Sequence, residues 1–256
     1  MRKEHINDKE AICLLIIFIL GTTLIIGIGS DVNNDKWITG IIGLILAIPI
    51  ILIYSRLQSI FQGQDIFDIL IMLFGNIGGR IISLIYVWYA FHLGSLVIRN
   101  FGEFVNVVAL PETPMIVPML LIGLVAVYAV KLGIEVLGRT CAYLFPILVI
   151  ILVTVQFLGI PNMRFHHLKP ILAEGISPLL KSGFTTFSFP FAETVLFLGV
   201  FFTLKTKKSP YKVYFSGVFL AGIIIIVITI RNILFLGELG SSMYFPTHVA
   251  VGRIAI

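Results

Sequence analysis

The chain has 256 residues, of which 58% are hydrophobic and 12% charged, with a mean hydropathy of +1.06 and a formal net charge of +5. A water-soluble domain carries about 25% charged residues, so this chain lacks the polar surface to cover a soluble core, and lipid must be the solvent for most of it. The excess of cations does not point to nucleic acid, because Lys and Arg are scattered between apolar runs and form no continuous patch.

A spanning helix needs about 20 mostly apolar residues. Seven segments meet that description: Ala11 to Ile28, Trp37 to Tyr54, Ile81 to Ile98, Met115 to Val130, Ala142 to Ile160, Phe184 to Leu204, and Val213 to Leu236. The first follows a basic start (Arg2, Lys3, Lys9), as a signal peptide would. No small-x-small cleavage site follows and further spans come at once, so it reads as a span. Ile66 to Phe74 is too short to cross and reads as an interfacial helix leading into the third span. Cys13 and Cys141 lie far apart inside apolar runs and read as small core residues.

A cytoplasmic N-terminus places Arg2, Lys3, Lys9, Arg56, Arg80, Lys131, Arg139, Lys205, Lys207, Lys208 and Lys212 inside. It leaves Lys36, Arg99, Arg164, Lys169, Lys181 and Arg253 on the opposite side. The positive-inside bias favours that orientation. No low-complexity linker divides the chain, so residues 1–256 are expected to form one membrane-embedded domain.

Common catalytic signatures are missing: no HExxH, no GxSxG and no Gly-Lys of a phosphate loop. Asp31, Asn33 and Asp35 mimic the start of a calcium loop, but Lys36 stands where Gly is required and Ile42 where the closing Glu is required. His166 and His167 have no nearby Cys or carboxylate to complete a metal site and read as loop residues. No enzyme, cofactor or metal is expected.

The informative stretch is FTTFSFPFAETVLFLGVFF, from Phe184 to Phe202. Pro190 lacks an N–H and its ring disfavours helical geometry at Phe189, so the sixth span is predicted to break around Phe189, Pro190 and Phe191. Unwound backbone at membrane depth survives only where protein or a water-filled cavity satisfies it. The first span has a corresponding soft point at Gly21, Thr22 and Thr23, followed by Gly27 and Gly29. Interrupted segments in matching positions point to a transporter-type binding site, with a simple proline kink as the alternative. Glu193 has two roles open to it: meeting a ligand cation or proton inside the membrane, or complementing the start of the second half-helix. His92, among Trp88, Tyr89 and Phe91, either faces a ligand or relays protons, or it hydrogen-bonds to a neighbouring helix. Arg99 and Glu103 stand at i,i+4 spacing as a pair carrying the helix past the membrane surface. Arg231, late in the seventh span, reads as a side chain that snorkels outward.

These segments resemble the endospore germination permeases, the B subunits of germinant receptors. The resemblance is carried by ISPLLKSGFTTFSFPFAETVLFLGVFF in the sixth span and FILGTTLIIGIGSDVNNDKWIT in the first. LVIRNFGEFVNVVALPETP, AVYAVKLGIEVLGRTCAYLFPILVI and MYFPTHVAVGRI add to it, the last with Phe245 between Tyr244 and Pro246. That family is similar to the amino acid–polyamine–organocation transporters. The resemblance implies an all-α, LeuT-like bundle of ten spans in two inverted repeats, with the first and sixth broken. About seven spans are present here, and the second repeat is incomplete. It implies a small germinant (amino acid, nucleoside or sugar), partnership with an A subunit and a lipoprotein C subunit, and the spore inner membrane. The ligand is expected between Gly21, Thr22 and Thr23 on one side and Ser188, Phe189, Pro190, Phe191 and Glu193 on the other, with Tyr89 and His92 as further contacts. A proton-coupled secondary transporter of amino acids is the alternative.

Overall fold

The computed structural model describes residues 5–29, 32–237, 240 and 243–254. The calcium-loop likeness at Asp31 and the cations Arg2 and Lys3 fall outside them. Among the described residues the structure is all-helical, an integral membrane bundle in which five helices are long and apolar enough to cross a bilayer. These are α1 (Asp8–Ile26), α2 (Lys36–Ile60), α3 (Ile66–Val108), α5 (Ile134–Gly159) and α7 (Ser209–Leu236). The fourth apolar segment gives the shorter α4 (Ile116–Lys131), and a short α8 (Pro246–Gly252) closes the described chain.

Local chemistry explains the helix ends. Asn7 and Glu10 form a reciprocal capping box that starts α1. Asp65 accepts from the Asp68 N–H to start α3. The short apolar stretch before the third span is indeed a separate arm, joined through Gly75 at φ 71°, ψ 179°. The two arms close on each other: a Cβ at Gly79 would stand 2.6 Å from the Ile71 Cα.

The first helix differs from expectation. It runs unbroken through Gly21, Thr22 and Thr23 to Ile26, and the chain leaves helical geometry at Gly27 (φ 79°) and Gly29 (φ 67°). A glycine inside a helix is a modest cost, and the Thr23 hydroxyl donates back to the Ile19 carbonyl without interrupting the helix.

The sixth segment is broken as predicted. α6 (Ile176–Thr186) passes into a π-helical turn (Phe187–Phe191), in which Phe189 is extended at φ −128°, ψ 118°. A 3-10 helix (Ala192–Gly199) follows. The core gathers around this segment, α1, α2 and α7, with Leu15, Ile19, Ile51, Phe191, Phe201, Val213 and Val218 buried. Half of the most apolar stretch of α7 is buried, against 6% for α3 and α5, so α7 is the central helix and α3 and α5 turn apolar faces outward.

Small residues let the helices approach, which is how packing is achieved without a hydrophobic drive between spans. A Cβ at Gly43 would lie 3.0 Å from the Thr186 methyl and 3.1 Å from the Phe187 backbone nitrogen. Backbone cannot move aside as a side chain can. Gly43→Leu is therefore expected to destabilise the bundle by about 1–3 kcal/mol, read as a lowered thermal unfolding midpoint in detergent. Gly94→Leu on exposed α3 surface, where nothing lies within 4 Å, is expected to leave that midpoint unchanged.

Candidate ligand cavity at the broken sixth segment

A 3-10 helix satisfies its backbone less well than an α-helix, and at membrane depth water cannot complete it. Here side chains do so. The Tyr86 hydroxyl on α3 donates to the carbonyls of Leu196 (2.8 Å) and Val195 (3.3 Å) and accepts from the Gly199 N–H (3.2 Å). The Gln58 amide on α2 donates to the carbonyls of Phe197 (3.1 Å) and Leu198 (3.4 Å). One turn earlier on α2, the Tyr54 hydroxyl reaches the Ala192 carbonyl at 3.4 Å. Thr194 donates to Phe191 O at 2.6 Å. Above the break, Thr186 donates to Thr39 across the α2 contact at 3.2 Å.

The break opens an inner cavity of ≈ 270 Å³ between α1, α3 and the sixth segment. Gly21 and Thr22 line it from α1, and Phe189, Pro190 and Glu193 from the break. Asn100 and Phe101, with Val97, line it from α3 at the i, i+3, i+4 spacing of one helix face. Gly21 has open space where a Cβ would stand. Glu193 sits in the first turn of the second half, half-buried, with no hydrogen bond or ion pair to it among the described residues. A second, outer cavity of ≈ 170 Å³ lies beyond Phe189, lined by residues including Gly27, Gly29, Lys36, Thr186, Thr229 and Asn232. Phe189 lines both.

The structure thus brings together Gly21, Thr22, Phe189, Pro190 and Glu193. Other expected members lie elsewhere. Thr23 is bonded back to its own helix, and Phe191 is 1% exposed in the core. Ser188 is exposed, and its hydroxyl donates to the Phe184 carbonyl at 3.0 Å. His92 is exposed and stacked on Trp88 at 5.3 Å. Tyr89 is half-buried, an electrostatic neighbour of Glu193, but it does not line the cavity.

Two further expectations are corrected. Arg231 does not snorkel: it is 1% exposed and donates to the Asn232 side-chain carbonyl at 2.9 Å. Asn232 in turn donates to Thr247. Arg99 and Glu103 both lie on α3, but no ion pair joins them.

Sequence reasoning missed Asn100, Tyr54, Gln58 and Tyr86. The available signal was a polar or phenolic side chain in an apolar helix, with Tyr54 and Gln58 four residues apart on one face. Removing one oxygen tests their role. Tyr86→Phe is expected to cost about 1–3 kcal/mol, because carbonyls and an N–H at depth lose their partner, measured by thermal or denaturant unfolding in micelles. Tyr128→Phe, at an exposed position, is expected to cost nothing measurable.

The family described as "Spore germination protein" matches residues 5–251. Spore germination protein KB of Bacillus subtilis (strain 168) is 32% identical over 238 residues, 91% of this chain and 63% of that protein. Spore germination protein YndE of the same organism is 29% identical over 69% of this chain and 49% of its own length. Spore germination protein A2 is 29% identical over 76% of this chain and 53% of its own length. The chain thus spans about half to two-thirds of these curated relatives. No solved structure matches. With its match to the family across nearly the whole length, the chain belongs to the spore germination protein family.

Proposed function

We propose that this chain is the membrane-embedded sensing subunit of a germinant receptor, binding a small germinant in the inner cavity. The carrying observation is that cavity itself, ≈ 270 Å³ at the break, with the unpaired Glu193 carboxylate in its wall. Phe18, Phe101 and Phe189 supply apolar faces, while Glu193, Asn100 and Thr22 supply a few polar groups, the usual make-up of a small-molecule site. A carboxylate without a counter-charge inside a membrane protein suits a ligand that brings a cationic group, such as the ammonium of an amino acid. Binding signals only if the two states of the receptor hold the ligand with unequal affinity. The partners that receive the signal are an A subunit and a lipoprotein C subunit, in the spore inner membrane.

The N-terminus is assigned to the cytoplasm. An ion pair between Asp8 and Lys212 (3.4 Å) joins the starts of α1 and α7. That gathers Lys9, Lys205, Lys207, Lys208 and Lys212 at one end of the bundle, as the positive-inside bias favours. A second reading, proton-coupled transport of an amino acid, is favoured by one observation: Glu193 stands in the wall of a cavity at a break in a span.

Titration of the assembled receptor with amino acids, nucleosides and sugars tests the site. Saturable binding is expected, weakened about tenfold or more by Glu193→Gln and abolished by Gly21→Leu, which fills the cavity. Ser188→Ala, whose hydroxyl serves its own helix, is expected to leave the dose response unchanged. No binding, or an unaltered Glu193→Gln response, defeats the inner-cavity assignment. PH-dependent uptake of labelled ligand into proteoliposomes would instead favour the transporter.

A further inference from the structure

The connection from α5 to α6 folds back over the end of α7. The Arg164 N–H donates to the Leu234 carbonyl at 3.1 Å, and the His167 ring reaches the same oxygen through Nδ1 at 3.0 Å. A carbonyl only accepts, so Nδ1 carries a proton and Nε2 remains for another partner. Arg164 and His167 then line a cavity of ≈ 510 Å³ with Asn162, Phe235, Leu236 and, from the end of α8, Arg253. No acidic residue is among its described lining, and neither arginine makes an ion pair among the described residues.

Two guanidiniums on one cavity repel each other unless an anion lies between them. Each presents a planar fork of donors that matches phosphate oxygens. The remaining wall is apolar, from Pro161, Phe235 and Leu236. The cavity sits where the spanning helices α5 and α7 end, the level at which lipid headgroups meet protein.

We propose that this cavity binds the headgroup phosphate of an anionic phospholipid, with Arg164 and Arg253 on the phosphate oxygens and His167 at its edge. Free phosphate carries the same charge but leaves the exposed Pro161 ring at the cavity mouth uncovered; the glycerol and first acyl carbons of a lipid cover it. This site is separate from the inner cavity and does not depend on the germinant reading.

The test is binding of short-chain lipids to the intact chain in micelles, followed by native mass spectrometry and titration. Dihexanoylphosphatidylglycerol is expected to bind about tenfold or more tightly than dihexanoylphosphatidylcholine. Arg164→Gln with Arg253→Gln is expected to remove that preference by about the same factor. The charge-matched pair Arg56→Gln with Arg80→Gln, at exposed positions, should keep it. Equal binding of the two lipids by the unaltered chain overturns the proposal, whatever the variants do. Inorganic phosphate binding as tightly as the anionic lipid overturns the lipid source. An equal loss in both double variants reduces the effect to net charge and also overturns it.

Discussion

The architecture depends on how the unwound backbone after Pro190 is satisfied. A buried, unpaired peptide carbonyl costs on the order of several kcal/mol in an apolar medium, and a 3-10 stretch at membrane depth would collect several such costs. Tyr86 and Gln58 cover the carbonyls from Val195 to Leu198, and Tyr54 reaches Ala192. With those bonds in place, the extended Phe189 and the turn around it can persist.

α2 does two jobs along one face. At its first turns, Thr39, Gly40 and Gly43 are small enough for α6 and α7 to come close, with Gly40 facing Ile226 and Gly43 facing Thr186. Toward its end, Tyr54 and Gln58 reach into the 3-10 helix. Close packing at one end fixes where α6 stops, and hydrogen bonds at the other fix where the second half starts. The break is held from both sides by one continuous helix, and α3 closes the third side through Tyr86.

What was legible in the sequence follows from how local each cause is. The break at Phe189 is written in proline's own covalent chemistry, so it was read correctly. The arm before the third span was legible because its length and the glycines beside it are local too. The supposed break at Gly21 was not real, since glycine permits a break without requiring one; the positive φ at Gly27 is where the chain turns. Which way Ser188 and His92 point depends on helix phase and neighbours, so the sequence alone did not show that the Ser188 hydroxyl bonds to its own helix and that His92 stacks on Trp88. Tyr86 and Gln58 showed in the sequence only as polar groups within apolar helices; what they bond to was not legible, because their acceptors lie more than a hundred residues away in sequence. Arg231 was assigned outward on its charge, whereas α7 is the central helix and buries it.

The polar groups near the break divide into two kinds, and the division bears on function. Tyr54, Gln58, Tyr86, Thr194, Thr186 and Ser188 each commit a hydrogen bond to protein. They account for the structural needs of the turn. Glu193, by contrast, makes neither a hydrogen bond nor an ion pair among the described residues, yet it is half-buried beside Phe189 and Pro190. A glutamine or leucine there would fold at lower cost. Its place in the first turn of the 3-10 helix recovers part of that cost through the helix dipole, but an eight-residue 3-10 helix gives that term little length to act over. The fold thus supplies partners for the carbonyls of the turn and leaves the Glu193 carboxylate without one among the described residues, on the same cavity wall as Asn100 and Thr22.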